Sequence, residues 1–210
     1  MSDNLLSIFS YDEEVRLLHN IVAGLDEAGR GPLAGPVVAA AVILPSGIVI
    51  DGVRDSKKIP EKARKKVFWQ VVRSAVSIGV GIVEAEVIDE INILQSTKRA
   101  MAYAVKDLSL EPDILLLDAV SLPKVNKLQQ SLIKGESISA SIAAASVIAK
   151  VVRDDIMFDL HEKYPVYNFK RHKGYSTKEH MALIREHGPC PVHRKSFRKV
   201  GDVPLPSGRE

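Results

Sequence analysis

The fold of this chain is limited most by two short apolar runs that each end in an acidic residue. Residues 21–26 (IVAGLD) and 114–118 (ILLLD) are shorter than ordinary helices, and their Ile, Val and Leu content is typical of buried strands. Residues 37–44 form a third apolar run, which ends at Pro45 and Gly47 and predicts another strand. We therefore expect a sheet at the centre of the fold.

Segments of helical composition separate these strands. We predict helices over residues 61–76, 93–108, 139–161 and 177–187, and a further strand over residues 77–84. Strands that come early, followed by strands alternating with helices, favour an α/β fold with a mixed sheet flanked by helices. A chain of 210 residues suits one domain. We expect residues 1–20 to contain one short helix, residues 21–200 to form the domain and residues 201–210 to be a flexible tail.

The distribution of charge is more informative than its sum. The chain carries 29 Lys and Arg against 26 Asp and Glu, a net charge of +3. Residues 170–199 hold 9 of the bases and only two acids, a net of +7, so the rest of the chain has a net charge of −4. Such a basic segment indicates a polyanionic partner, although a solvated basic face without function would give the same count.

The sequence also excludes several classes of protein. Its single cysteine, Cys190, rules out an internal disulfide, which fits a reducing compartment. No basic segment followed by an apolar stretch opens the chain, and the run at residues 37–44 is far too short to span a bilayer. We expect a soluble, cytoplasmic protein that binds no membrane.

The carboxylates at the strand ends predict a metal site. Asp26 and the adjacent Glu27 end one apolar run, and Asp118 ends another. If the two strands are neighbours, Asp26 and Asp118 meet at one edge of the sheet. Clustered carboxylates repel each other unless a cation neutralises them, and oxygen ligands without His or Cys favour magnesium or manganese. The alternative is that each acid only begins a solvated loop or caps a helix.

The glycines that follow Glu27 do not form a standard nucleotide-binding motif. The sequence around Gly29, Arg30 and Gly31 lacks the Lys-Ser/Thr of a phosphate loop, and its glycine spacing misses the dinucleotide fingerprint by one residue. Glycines let backbone amides approach a ligand closely, here a sugar hydroxyl or a phosphate beside the acidic pair. Arg30 is placed to contact a phosphate or only a nearby carboxylate.

Eight motifs follow one another along the chain: AGLDEAGRGPLAGP from Ala23, DSKK from Asp55, EINIL from Glu90, Leu117-Asp118, Lys134-Gly-Glu136, IAAASVIAKVVRD from Ile142, HKGY from His172, and HRKSF from His193. Taken together and in this order, they resemble the motifs of ribonuclease HII, the bacterial type 2 ribonucleases H. The resemblance implies a ribonuclease H-like fold with a helical C-terminal region. It also implies endonucleolytic cleavage of the RNA strand of RNA–DNA hybrids and nicking of DNA 5′ of embedded ribonucleotides, leaving 5′-phosphate and 3′-hydroxyl ends.

By the same resemblance, two divalent ions, Mg²⁺ or Mn²⁺, are held by four carboxylates: Asp26, Glu27, Asp118 and Glu136. Glu136 departs from the Asp that is usual in the family, and its extra methylene moves the carboxylate by about 1.5 Å. Asp154 and Asp155 are rival candidates for the fourth position, but Asp154 is also spaced to pair with Lys150 along a helix.

The resemblance assigns ribose recognition to Gly29, Arg30 and Gly31, backed by Tyr175. Candidate phosphate contacts are Lys57, Lys150, Arg153 and Lys173. The expected partners are RNA–DNA hybrids and DNA that contains ribonucleotides, bound by a monomer. Two alternatives stay open at this point: a hybrid-binding protein that lost turnover through Glu136, and a two-metal phosphoesterase for small substrates.

Overall fold

The computed structural model describes residues 3–53 and 59–202 of the chain. The elements in chain order are α1 (Asp3–Arg16), β1 (Val22–Ala28), β2 (Val37–Ile43), α2 (Glu61–Ser74), β3 (Ser77–Val83), α3 (Ala85–Asp107), β4 (Ile114–Asp118), β5 (Leu128–Leu132), α4 (Ala140–Lys163), α5 (Phe169–His172), α6 (Lys178–His187) and α7 (Arg198–Gly201). Short 3₁₀ turns, Gly135–Ser137 and Pro165–Tyr167, precede and follow α4.

The five strands form one mixed sheet in the order β3-β2-β1-β4-β5. β1, β2 and β3 are antiparallel neighbours, whereas β4 runs parallel to both β1 and β5. This architecture confirms the predicted α/β fold with a mixed sheet flanked by helices. All seven residues of β2 are buried, because helices cover both faces of the sheet at its centre.

Side chains that alternate along β2 enter two different cores. Ala40 and Val42 face α2 and α4, whereas Ala39 and Ala41 face α3. Glycines let the helices come close to the strands: a Cβ atom at Gly81 would lie 1.9 Å from the carbonyl oxygen of Ala100 on α3. The helix positions are therefore fixed by backbone contact as well as by side-chain packing.

β5 and α3 differ from the sequence-based expectations. β5 was not predicted, because its alternating polar residues leave it mostly exposed at the sheet edge. The helix predicted from residue 93 begins at Ala85 and continues through a kink at Asn92, whose φ of 65° is not helical. The N-terminal helix spans Asp3–Arg16. Within the described residues, no helix is long and apolar enough to cross a membrane.

Candidate active site

Asp26 and Asp118 lie at the same edge of the sheet. β1 and β4 are parallel and in register, with Leu25 opposite Leu117, so the residue after each leucine is an aspartate on a neighbouring strand. Neighbouring strands are about 4.8 Å apart, which brings the two carboxylates within reach of one small ion. Asp26 is only 7% exposed. The juxtaposition expected from the two apolar runs is therefore present in the structure.

Glu27 and Glu136 flank this pair. The Glu27 backbone N–H donates to Asp26 Oδ1 over 2.7 Å, and Arg30 donates to Glu27 Oε1 over 3.3 Å. On the other side, the Gly135 backbone N–H donates to Asp118 Oδ1 over 2.8 Å, which fixes the 3₁₀ turn that carries Glu136 next to Asp118. Gly135 is tightly enclosed there, because a Cβ atom at this position would lie 2.7 Å from Ile142.

Burial raises the pKa of Asp26 well above its ordinary value, and the nearby charge of Glu27 raises this pKa further. A hydrogen bond with Ser146 and the Glu27 N–H act in the opposite direction, and the charge of Asp118 adds to the increase. Ser146 lies on α4, and nothing in its local sequence indicated this contact. The negative charges of these carboxylates are therefore not fully balanced by the protein's own hydrogen-bond donors.

The donor chemistry of this cluster fits a hard divalent cation. Its ligand atoms are carboxylate oxygens without His or Cys, the set that Mg²⁺ and Mn²⁺ prefer. A divalent ion would also relieve the repulsion that raises the pKa of Asp26. Across residues 3–53 and 59–202, however, no group of three or more His, Cys, Asp or Glu side chains is arranged to hold an ion.

The rival aspartates belong to ion pairs elsewhere. Asp154 is buried between Lys150, at 2.5 Å, and Arg64, at 3.3 Å. Asp155 is exposed and pairs with Lys65 at 3.2 Å. The helical pairing expected for Asp154 and Lys150 is confirmed, and this pairing takes up the ammonium group that was a candidate phosphate contact.

The loop after β1 brings the predicted ribose-binding residues together. Gly29 has a φ of +98°, which turns the chain sharply, and Gly31 is exposed. The nearest atom to a Cβ placed on Gly31 is Cε1 of the Tyr175 ring, at 4.0 Å. The Leu33 N–H donates to the Gly174 carbonyl over 2.8 Å and joins this loop to the segment that carries Tyr175. Tyr175 is 44% exposed, so its ring is open to a ligand.

Arg153 and Lys173, two other predicted phosphate contacts, are buried. Arg153 is fully buried and donates to the carbonyls of Ala34, Pro36 and Lys173 over 3.0–3.1 Å. Its assignment as a phosphate contact is therefore corrected, because the guanidinium faces the interior. Lys173 is also buried, with its ammonium group bonded to the Lys170 carbonyl and 4.0 Å from the Phe158 ring centroid. Lys57 lies outside the described residues.

The sequence did not indicate the role of Arg194. This residue is fully buried beneath residues 29–36, the loop after β1 that we call the ribose loop. The only sequence signal was its place in the HRKSF motif, to which no role had been assigned. Of the nine bases counted in residues 170–199, Arg194 and Lys173 are therefore interior groups. The basic segment offers less surface charge than its sequence suggests.

Comparison with known proteins gives a consistent result. A family model described as Ribonuclease HII matches residues 23–200. The curated ribonuclease HII of Acetivibrio thermocellus is 54% identical over 181 residues, which cover 86% of this chain and 71% of that protein. The ribonuclease HII of Caldicellulosiruptor saccharolyticus is 52% identical, with coverage of 86% and 88%.

Solved structures share the fold. Ribonuclease H2 from Pyrococcus horikoshii OT3 superposes with a TM-score of 0.74 at 25% identity, over 87% of this chain and 96% of that one. Bst-RNase HIII, whose structure was solved in complex with Mn²⁺, superposes with a TM-score of 0.65 at 20% identity, over 86% of this chain and 68% of that one.

Proposed function

The chain belongs to the ribonuclease HII family and is an endonuclease that acts on the RNA strand of RNA–DNA hybrids; we propose that its acidic cluster is the catalytic site. The proposed ligands are Asp26, Glu27, Asp118 and Glu136, which would bind two ions of Mg²⁺ or Mn²⁺. The observation that carries this proposal is the parallel register that sets Asp26 beside Asp118.

The proposed chemistry is hydrolysis of a phosphodiester that leaves 5′-phosphate and 3′-hydroxyl ends. Divalent ions at the cluster would activate the attacking water and neutralise the charge that develops on the phosphate. The protein's own part is to hold the carboxylates at one edge of the sheet. Gly135 keeps Asp118 oriented through its N–H, and the Glu27 N–H does the same for Asp26.

Ribonucleotide recognition is proposed to lie beside the carboxylates. The exposed backbone at Arg30 and Gly31 presents amides to the ribose, and the Tyr175 ring borders the same place. A site that reads a single ribose would act on embedded ribonucleotides as well as on long hybrids, with the nick 5′ of the ribonucleotide. This arrangement does not favour the alternative of a binding protein without turnover, because the acidic cluster adjoins the ribose loop.

The test is cleavage of a duplex that contains one ribonucleotide, with Mg²⁺, Mn²⁺ or a chelator present. We expect metal-dependent nicking by the wild type. Asp26→Asn should abolish nicking and leave duplex binding largely intact, whereas the matched control Asp155→Asn, which alters an exposed aspartate outside the cluster, should cleave normally. Unchanged turnover by Asp26→Asn would refute the proposed site, and tight binding without nicking by the wild type would favour the binding protein.

We further propose that the protein works as a monomer in the cytoplasm, where hybrids and ribonucleotide-containing DNA arise. Light scattering during size-exclusion chromatography should give a mass near 23.0 kDa. A mass twice as large would contradict the monomer.

A further inference from the structure

Arg194 is a buried cation whose guanidinium donates to the loop that follows β1. Its guanidinium donates to the carbonyl oxygens of Gly29 over 2.6 Å, Arg30 over 3.0 Å, Pro32 over 2.8 Å and Gly35 over 2.9 and 3.0 Å. A fully buried charge is costly unless it is well solvated by the protein, and four carbonyl dipoles provide that solvation here. The loop conformation and the buried cation therefore stabilise each other.

The direction of these carbonyls fixes the direction of the neighbouring amides. A trans peptide unit is planar, and its C=O and N–H bonds point in opposite directions. Because the Gly29 and Arg30 carbonyls face Arg194 in the interior, the N–H groups of Arg30 and Gly31 face outward. Both of these residues are exposed, whereas Gly29 is buried. Two consecutive amide donors thus open towards solvent beside the Tyr175 ring.

The segment that carries Arg194 is itself held on two sides. The Arg194 backbone N–H donates to the Leu33 carbonyl over 2.8 Å, so this segment is joined to the loop. On the other side, the backbone N–H groups of Lys195 and Ser196 donate to the carboxylate of Asp89 on α3, over 2.8 and 2.9 Å. The guanidinium is therefore attached both to the loop and to the main body of the protein.

We propose that Arg194 is a positioning residue for recognition of the ribose 2′-hydroxyl, acting by holding the Gly29 and Arg30 carbonyls inward so that the following amides face the sugar. This inference rests on the proposed function of the ribose loop. Arginine suits the role because its planar group carries five N–H donors in a fixed arrangement, whereas a lysine ammonium has three donors at a single point. Burial lowers the pKa of Arg194 to about 9, so the group stays charged at neutral pH.

The matched pair of variants is Arg194→Lys and Arg64→Lys. Both replace a buried guanidinium that donates to a backbone carbonyl, but Arg64 donates to Ile59 and to Asp154, away from the loop after β1. Two quantities are measured: the Kd for a duplex with one ribonucleotide and the Kd for the same duplex made wholly of DNA, each with a chelator present. The KM and kcat for nicking in Mg²⁺ and the melting temperature of each variant complete the comparison.

We expect the wild type to bind the ribonucleotide duplex more tightly than the DNA duplex. Arg194→Lys should bring that Kd ratio close to one and raise KM by about tenfold, the size of one well-placed hydrogen bond, with a smaller change in kcat. Its Kd for the DNA duplex should stay near that of the wild type. Arg64→Lys should also lose thermal stability, because it disturbs a buried ion pair, and should keep the Kd ratio.

The inference is overturned if Arg194→Lys keeps the wild-type Kd ratio, if both variants lose the ratio in proportion to their melting temperatures, or if the wild type binds both duplexes equally. None of these results bears on the proposed catalytic site, which is tested separately by metal-dependent nicking in the wild type and its loss in Asp26→Asn.

A second measurement needs no variant and so does not depend on how well Arg194→Lys folds. Amide hydrogen exchange of the wild type should be fast at Arg30 and Gly31 in the free protein. A ribonucleotide duplex should protect both amides, and an all-DNA duplex should not. Slow exchange in the free protein, or no added protection by the ribonucleotide duplex, would also overturn the inference.

Discussion

Gly24 is a position where a single added methyl group should disturb the fold strongly. It lies in the middle of β1, directly beneath the first turn of α4. A Cβ atom there would be 2.1 Å from the carbonyl carbon of Ser141 and 2.2 Å from the backbone nitrogen of Ile142. Ordinary contact begins near 3.4 Å, so α4 and β1 would have to separate locally by about 3.4 − 2.1 = 1.3 Å in Gly24→Ala.

The cost follows from which atoms are in the way. Added core methyl groups usually cost about 1–3 kcal/mol because neighbouring side chains can turn aside. Here the neighbours are backbone atoms of a long helix, which cannot turn, so we expect at least about 3 kcal/mol. For a domain of this size, that loss lowers the melting temperature by roughly 6–12 °C. Displacement of α4 would also disturb the contact of Ser146 with Asp26.

The matched control is Gly31→Ala, which adds the same methyl group in open space. The nearest atom to the new Cβ is Tyr175 Cε1 at 4.0 Å, so the melting temperature should change by less than about 2 °C. The methyl group would nevertheless crowd the ribose beside the exposed amides, and nicking of a single-ribonucleotide duplex should fall by at least about tenfold. Thermal and urea denaturation measure stability, and the duplex assay measures activity.

The two variants should therefore show opposite effects on stability and activity. A Gly24→Ala protein with the wild-type melting temperature would refute the close contact between α4 and β1. Full activity in Gly31→Ala would refute the placement of the ribose against the loop.

Three further predictions concern other parts of the molecule. Glu136→Asp should keep most of the nicking activity and Glu136→Ala should lose at least about 10–100-fold in the duplex assay; normal cleavage by the alanine variant would remove Glu136 from the site. Asp154→Asn should lower the free energy of unfolding by about 3 kcal/mol in urea denaturation, because it leaves two largely buried cations without their carboxylate; a loss below about 1 kcal/mol would contradict this role. Burial lowers the pKa of His180 to about 4 and that of His193 to about 3, so the unfolded chain takes up protons below pH 6.5 that the folded protein does not. These two rings contact each other through their Nε2 atoms over 3.0 Å and are buried. The stability that this neutral pair contributes is present above pH 6.5 and lost as the pH falls towards 4, by up to about 2.7 kcal/mol per pH unit. His193→Gln should flatten the pH dependence measured by urea denaturation from pH 7.5 to 5, and an unchanged slope would contradict the buried neutral pair.

The sheet and its acidic edge could be predicted because their signals are local. In β1 and β4, a few adjacent residues predict both the strand, from the apolar run, and the position of the carboxylate, from the acidic residue that ends it. Their pairing was only a condition of the prediction, and the structure shows that β1 and β4 are parallel neighbours. β5 carries no such signal, because its polar, half-exposed residues resemble those of a loop.

The supports of the ribose loop could not be predicted, because they depend on contacts between distant parts of the chain. Arg153 and Arg194 bind carbonyls more than 100 residues away, and a backbone carbonyl leaves no mark on the sequence. An arginine in a basic segment is normally read as surface charge. Trp69 on α2 is the converse case, because a large aromatic side chain usually indicates a core position, whereas this one is 55% exposed.

Arg194 and Lys173, the two buried bases of residues 170–199, change how the charge of this protein is understood. If every base of residues 170–199 faced the substrate, binding would rest on many interchangeable phosphate contacts and would not distinguish RNA from DNA. Arg194 instead acts on the backbone, where its charge orients two amides towards a single sugar. One base of the C-terminal segment, Arg194, thus lies inside the protein and sets the geometry of the ribose loop. Selectivity for a ribonucleotide depends on this buried arginine more than on the bases at the surface.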